Sequence, residues 1–128
     1  MDDEVQKIIE RTVNTTILKL KMSGLLREGG RTAAQKTEDL VYNYPSFKEV
    51  PDPSAKKITE RVEHALRRIE NDPYYDIIPM TYFQRMSRED VAYYLNASPT
   101  TVTRNRRRLI DEMKVIIVSE DTILEFLL

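Results

Sequence analysis

Cysteine and tryptophan are absent from this 128-residue chain, histidine occurs once and glycine three times. Without cysteine there is no disulfide framework and no thiolate zinc site. Histidine chemistry has one candidate, His64, which falls roughly opposite Val62 on a helical wheel and has no carboxylate cluster at ligand spacing, so a surface position is expected. Gly24, Gly29 and Gly30 are not followed by Lys-Ser/Thr; they mark a flexible joint around Leu25 and Leu26 and not a phosphate loop. No signal-peptide pattern and no apolar run long enough to span a bilayer is seen, which predicts a soluble, cytoplasmic protein with no membrane partner. With no paired acid motif and no nucleotide loop, an enzyme is the class these absences disfavour most, and neither a cofactor nor a metal is expected.

Charge of one sign is also lacking overall. The formal net charge is −1 and the isoelectric point is near 5.9, values that ordinarily argue against a nucleic-acid partner. The charge is unevenly placed, however. From Thr81 to Ile110, Arg85, Arg88, Arg104, Arg106, Arg107 and Arg108 face only Glu89 and Asp90. A local basic patch on a near-neutral protein suits site-directed binding.

That patch coincides with the most informative stretch, MSREDVAYYLNASPTTVTRNRRR from Met86. Ser87, followed by Asp90 three residues on, is a capping-box-like start. Ser98 with Pro99 behind it is a second start, with an acceptor at the N-cap and proline at the first helical position. Between the two helices only a tight turn fits, which is the helix-turn-helix pattern. Val91, Ala92 and Leu95 share a face of the first helix, and Val102 and Leu109 a face of the second. Opposite them Thr100, Thr103, Arg104 and Arg107 are spaced i, i+3, i+4, i+7 and project together. Hydroxyls and guanidinium groups so arranged can read base edges in a major groove. Thr100, Thr103, Arg104 and Arg107, with Pro99 and Asn105, are therefore the candidate base readers; Arg85, Arg88, Ser98, Arg106 and Arg108 are the candidates for the DNA backbone.

The remaining chain reads as helices. Asp2 to about Met22 is an amphipathic candidate with Val5, Ile8, Ile9, Val13, Ile17 and Leu20 near one face. Thr32 and Gln35 form a capping box that opens a helix from Ala33 to about Tyr44, which Pro45 is expected to end. Ser54 is expected to cap a helix to about Asn71 with Ile58, Val62, Ala65, Leu66 and Ile69 inward. Asp72 and Pro73 resemble another helix start, and Pro79 predicts a kink or restart near Ile78. Tyr74, Ile77, Ile78, Tyr82 and Phe83 are expected in the core, whereas Tyr93 and Tyr94 are open between core and phosphate contact. The recognition helix should run to about Val118, although Val115 to Val118 could also be a strand. Ser119 then opens an apolar last helix ending Phe126, Leu127, Leu128, which must cover the core or meet a second subunit.

The run Lys36 to Val118 resembles the ArpU family of phage transcriptional regulators. KTEDLVYNY from Lys36, the helix ending ALRRIENDPYYDII, the pair Tyr82–Phe83 and SREDVAYYLNASPTTVTRNRRRLIDEM carry the resemblance over about two thirds of the chain. Tyr82 to Arg107 is also similar to region four of bacterial sigma factors. The first resemblance implies a cytoplasmic DNA-binding regulator of late phage genes or of host genes near a prophage, the second a contact with RNA polymerase near a promoter. Three positions depart from the pattern, one of them Pro79, which is unusual for a helix at that place. Asn96 stands where glycine is common, but asparagine tolerates the left-handed region. Arg106 stands on the side where sigma-like domains bury an aliphatic residue, from which it can reach phosphate or pair with an acid.

The expected fold is all-α: an N-terminal amphipathic helix and joint over 1–30, a helical support region over 31–71, a helix-turn-helix DNA-binding region over 72–118 and an apolar helix over 119–128. The expected function is sequence-specific double-stranded DNA binding in transcription, with a homodimer through either terminal helix as one arrangement. Two alternatives stand beside it: a DNA-packaging module like a small terminase subunit, and an adaptor that docks on RNA polymerase.

Overall fold

In the computed structural model residues 3–9 and 32–117 are described. The joint around Gly24, Gly29 and Gly30, most of the N-terminal helix and the apolar stretch from Ser119 lie outside them. Among the described residues the chain is all-helical, without a strand. Residues 3–9 are helical, with Val5, Ile8 and Ile9 exposed.

The first core helix, α1 (Ala33–Lys48), opens on the capping box expected there: Gln35 N–H donates to Thr32 Oγ1 (3.1 Å) and Thr32 N–H to Gln35 Oε1 (2.9 Å). Contrary to the sequence expectation, α1 does not stop at Pro45 but passes through it to Lys48. A proline inside a helix forfeits one backbone hydrogen bond and crowds the preceding turn. Phe47, fully buried, supplies the offset, since burying a phenylalanine is worth about 1.5–3 kcal/mol. Lys48 suits the last turn, where a cation meets the negative end of the helix dipole.

Helix α2 (Pro53–Ile69) is capped by Asp52 and not by Ser54: Asp52 Oδ1 accepts from the Ser54 and Ala55 N–H groups at 2.8 and 3.2 Å. With Pro53 at the first position, the acceptor must sit one residue earlier. Ile58, Val62, Ala65 and Ile69 are buried as expected and Leu66 packs partly against them, while His64 is exposed. The helix ends two residues before Asn71. Asp72 and Pro73 then form a turn in place of a helix start, with Asp72 Oδ1 taking Tyr74 N–H at 2.9 Å.

The restart expected at Pro79 is present as a π-helical turn, Pro79–Phe83, entered from Ile78. Just before it, Ile77 and Ile78 are both fully buried but belong to different cores. Ile78 and Tyr82 join the main core with Leu40, Val41 and Phe47 of α1 and the inner face of α2. Ile77 joins a smaller cluster with Val91, Ala92 and Val102. Tyr74 and Phe83 are partly buried against these cores.

Helices α3 (Arg88–Leu95) and α4 (Pro99–Ile117) follow, joined by Asn96, Ala97 and Ser98. Ser87 Oγ accepts from Asp90 N–H (3.1 Å) to start α3. Asn96 closes it in the left-handed region, φ 52° and ψ 45°, and Ala97 N–H returns to Ala92 O at 3.0 Å, a Schellman-type ending. Ser98 Oγ then accepts from Thr101 N–H (3.1 Å), with Pro99 leading α4. Val115, Ile116 and Ile117 continue α4 as helix, which removes the alternative of a strand there. Val102, Leu109, Ile110, Met113 and Ile117 are its buried face.

A β-carbon in the left-handed region costs about 1–2 kcal/mol where no side-chain compensation exists. Asn96→Val should therefore lower unfolding free energy by about that amount and Asn96→Gly should leave it equal or higher. Urea unfolding checks both; equal midpoints for the two variants would contradict the role given to the turn.

Candidate nucleic-acid interface

The inner face of α4 is fixed by burial, so its outer face is set by helical geometry alone. Thr100, Thr103, Arg104 and Arg107 line one shallow, solvent-open groove of about 870 Å³, joined by Arg88 from the start of α3 and by Arg108. Thr100, Arg104 and Arg107 are exposed and Thr103 is half-exposed. Among the described residues, neither Arg104 nor Arg107 has an acidic partner at ion-pair distance, so both guanidinium groups are open to a ligand. Among the described residues Arg88 is engaged only by its sequence neighbour Glu89, at 3.2 Å and largely exposed, a pair of little energetic weight.

Arg68, from the end of α2, also lines the groove. Its outward position is legible in the α2 pattern, but nothing local in the sequence places it beside α4. Asp111, which follows Arg104 and Arg107 at i+7 and i+4 on the same face, and Glu112 also line the groove, each engaged by a cation of α4: Lys114 at 3.3 Å and Arg108 at 3.4 Å.

The other residues singled out from the sequence are placed differently. Pro99 is exposed at the head of α4, and the Ser98 hydroxyl is occupied in capping it. Asn105 is turned along its own helix, its amide donating to Thr101 O (2.9 Å) and its oxygen accepting from Arg108 (3.1 Å). Arg108 grips Asp72 with both terminal nitrogens, at 2.8 and 2.9 Å, tying α4 to the turn after α2. This guanidinium holds the Asp72 carboxyl below its ordinary range.

Arg106 takes the second of its two sequence options and pairs with an acid. It reaches Glu38 of α1 and donates to the Tyr82 hydroxyl (3.2 Å), which itself donates to Glu38 (2.9 Å). Burial alone would lower the Arg106 pKa; contact with Tyr82 and Glu38 raises it overall. Burial pushes Tyr82 well above the usual tyrosine value, the Glu38 charge adding to this and Arg106 opposing it. Arg85 is likewise held in the fold. Its backbone is left-handed (φ 58°), its guanidinium lies 3.2 Å from the Tyr42 ring centre, and it donates to Tyr42 O at 3.0 Å. Tyr93 and Tyr94 are exposed on the outer side of α3, in edge-to-face contact at 6.1 Å, and do not line the groove.

No protein-family model, curated protein or solved structure matches the chain. Among the described residues no cluster of His, Cys, Asp or Glu could hold a metal ion, and no helix is long and apolar enough to cross a membrane. The groove's chemistry is that of a predominantly basic, hydrogen-bonding surface: the hydroxyls of Thr100 and Thr103 and five arginines, with Asp111 and Glu112 as its two carboxylates.

Two pH effects follow from these contacts. Asp72 has its folded pKa lowered from 3.8, so its contribution is complete above that value and is lost as pH falls below it. Tyr44 is pushed up to about 12 by burial and by its bond to Glu63, so its contribution is complete below 10.0 and is lost as pH rises through about 12. Thermal melting against pH should show Asp72→Asn flattening the acid limb and Tyr44→Phe flattening the alkaline one. Curves parallel to wild type at both ends would contradict these assignments.

Proposed function

We propose that the protein is a sequence-specific double-stranded DNA binder acting in transcription, with α3 and α4 as a helix-turn-helix and α4 as the helix that enters the major groove. One observation carries the proposal: Thr100, Thr103, Arg104 and Arg107 share a single accessible groove, and neither arginine is neutralised by an acid among the described residues. An α-helix with side chains is about 10–12 Å across and the B-DNA major groove is about 12 Å wide, so such a ridge can lie along base edges. Arginine pairs bidentately with guanine, and threonine can bond a base edge or touch a thymine methyl. Arg88, with the Ser98 end of α4, lies at the edge where the phosphate backbone would pass. Arg106 and Arg85, committed to Glu38 and Tyr42, support the domain in this proposal and do not touch DNA. The resemblance to the ArpU family extends the proposal to regulation of phage genes, with RNA polymerase as a partner at the promoter.

Selection of bound duplexes from a random-sequence pool should enrich a short motif containing guanine. Arg104→Ala with Arg107→Ala should weaken binding to that motif by about 100-fold or more, since each bidentate contact carries about 1–3 kcal/mol. The urea midpoint should stay at the wild-type value because both side chains are exposed. Enrichment of the same motif with the same affinity by the double variant would overturn the proposed face.

A further inference from the structure

The outer surface of α2 carries a second basic feature, distinct from the α4 ridge. Lys57, Arg61, His64 and Arg67 line a shallow recess of about 520 Å³, with Glu60 its single carboxylate. Lys57, Arg61, His64 and Arg68 follow at i, i+4, i+7 and i+11, one stripe along the helix. Among the described residues none of these lysine and arginine side chains has an ion-pair partner. The nearby Glu63 is engaged on the other side by the Tyr44 hydroxyl, at 2.9 Å. Arg68 lines the α4 groove while its neighbour Arg67 lines the α2 recess, so the stripe is continuous with the ridge that carries Arg104 and Arg107.

We propose that this stripe is a phosphate track for the same duplex, holding the backbone that flanks the bases addressed by α4. The inference rests on the reading of α4 as the groove-entering helix. From Lys57 to Arg68 the stripe is about 16 Å long at 1.5 Å per residue, the rise of about five base steps. Unpaired guanidinium and ammonium groups suit phosphodiester oxygens, and an exposed track of them supplies affinity without reading sequence. An acidic protein segment is the competing occupant; continuity through Arg68 with the ridge favours nucleic acid.

The test compares wild type with the variant carrying Lys57→Ala, Arg61→Ala, Arg67→Ala and Arg68→Ala, on a duplex bearing the wild-type-selected motif and on random-sequence duplex. At about 50 mM salt the variant should bind about 10- to 100-fold more weakly, and its log–log salt slope should be shallower by about 3–4, since each neutralised phosphate contributes about 0.9. Its preferred motif should not change, and hydroxyl-radical protection should be lost on one flank only. Arginine at Lys57 with lysine at the other three positions should restore the slope. The single reversal Arg67→Glu, at an exposed position, gives a readout that does not depend on the fold of the fourfold variant and should weaken both duplexes alike. An unchanged slope and flank, with binding still abolished by Arg104→Ala and Arg107→Ala, would overturn the track and leave the α4 proposal standing. Binding indifferent to Arg104 and Arg107, or no duplex binding by wild type, would overturn both.

Discussion

Burial of one face of α4 is the constraint on which the rest depends. Leu109, Ile110, Met113 and Ile117 are locked into the main core and Val102 into the smaller one, so the helix touches both bodies of packed side chains at once. Each such residue contributes about 1.5–3 kcal/mol when taken out of water. Successive residues on a helix are turned about 100° from one another, so the depth at which Val102 and Leu109 sit also decides that Thr100, Thr103, Arg104 and Arg107 look outward. Core and candidate interface are the two sides of a single element.

The arginines of this region divide between two kinds of work. Arg85, Arg106 and Arg108 are tied to Tyr42, to Glu38 with Tyr82, and to Asp72, bonds that connect α1, α4 and the turn after α2. Arg88, Arg104 and Arg107 line the groove without a tie to another element among the described residues, while Arg108 lines it and is bound to Asp72 as well. The Arg106 cluster is the more consequential of the ties. It is half-buried, and removing one partner would leave a desolvated charge, which is expensive in a way that losing an exposed pair is not. A high density of arginine in a short stretch thus overstates the charge available to a ligand.

Features set by neighbours in sequence were readable in advance. The capping box at Thr32, the left-handed Asn96, the Ser98–Pro99 start and the restart at Pro79 each depend on a few adjacent residues, and each is where the local chemistry places it. The heptad-like spacing of Ile58, Val62, Ala65 and Ile69 was equally plain. What was not legible depends on partners far along the chain. Pro45 signals a stop, but the burial of Phe47 against other elements carries α1 past it. The choice of Asp52 over Ser54 as cap is the exception: it is local, since Pro53 favours the first helical position and so puts the cap one residue earlier. Arg106 and Glu38 are separated by 68 positions, so no local pattern shows that they meet. Arg68 joins the groove for the same reason, by the packing of α2 on α4.

The split of Ile77 from Ile78 has a consequence for how the molecule could engage anything large. Two adjacent side chains sit in separate cores just ahead of the π-helical turn, Ile78 with α1, α2 and the later part of α4, and Ile77 with α3 and the start of α4, so this short segment is clamped between both bodies of packing. A surface presented by such a clamped frame gives up less conformational freedom on association than one that must first be brought into order, so more of its contact energy is retained as affinity.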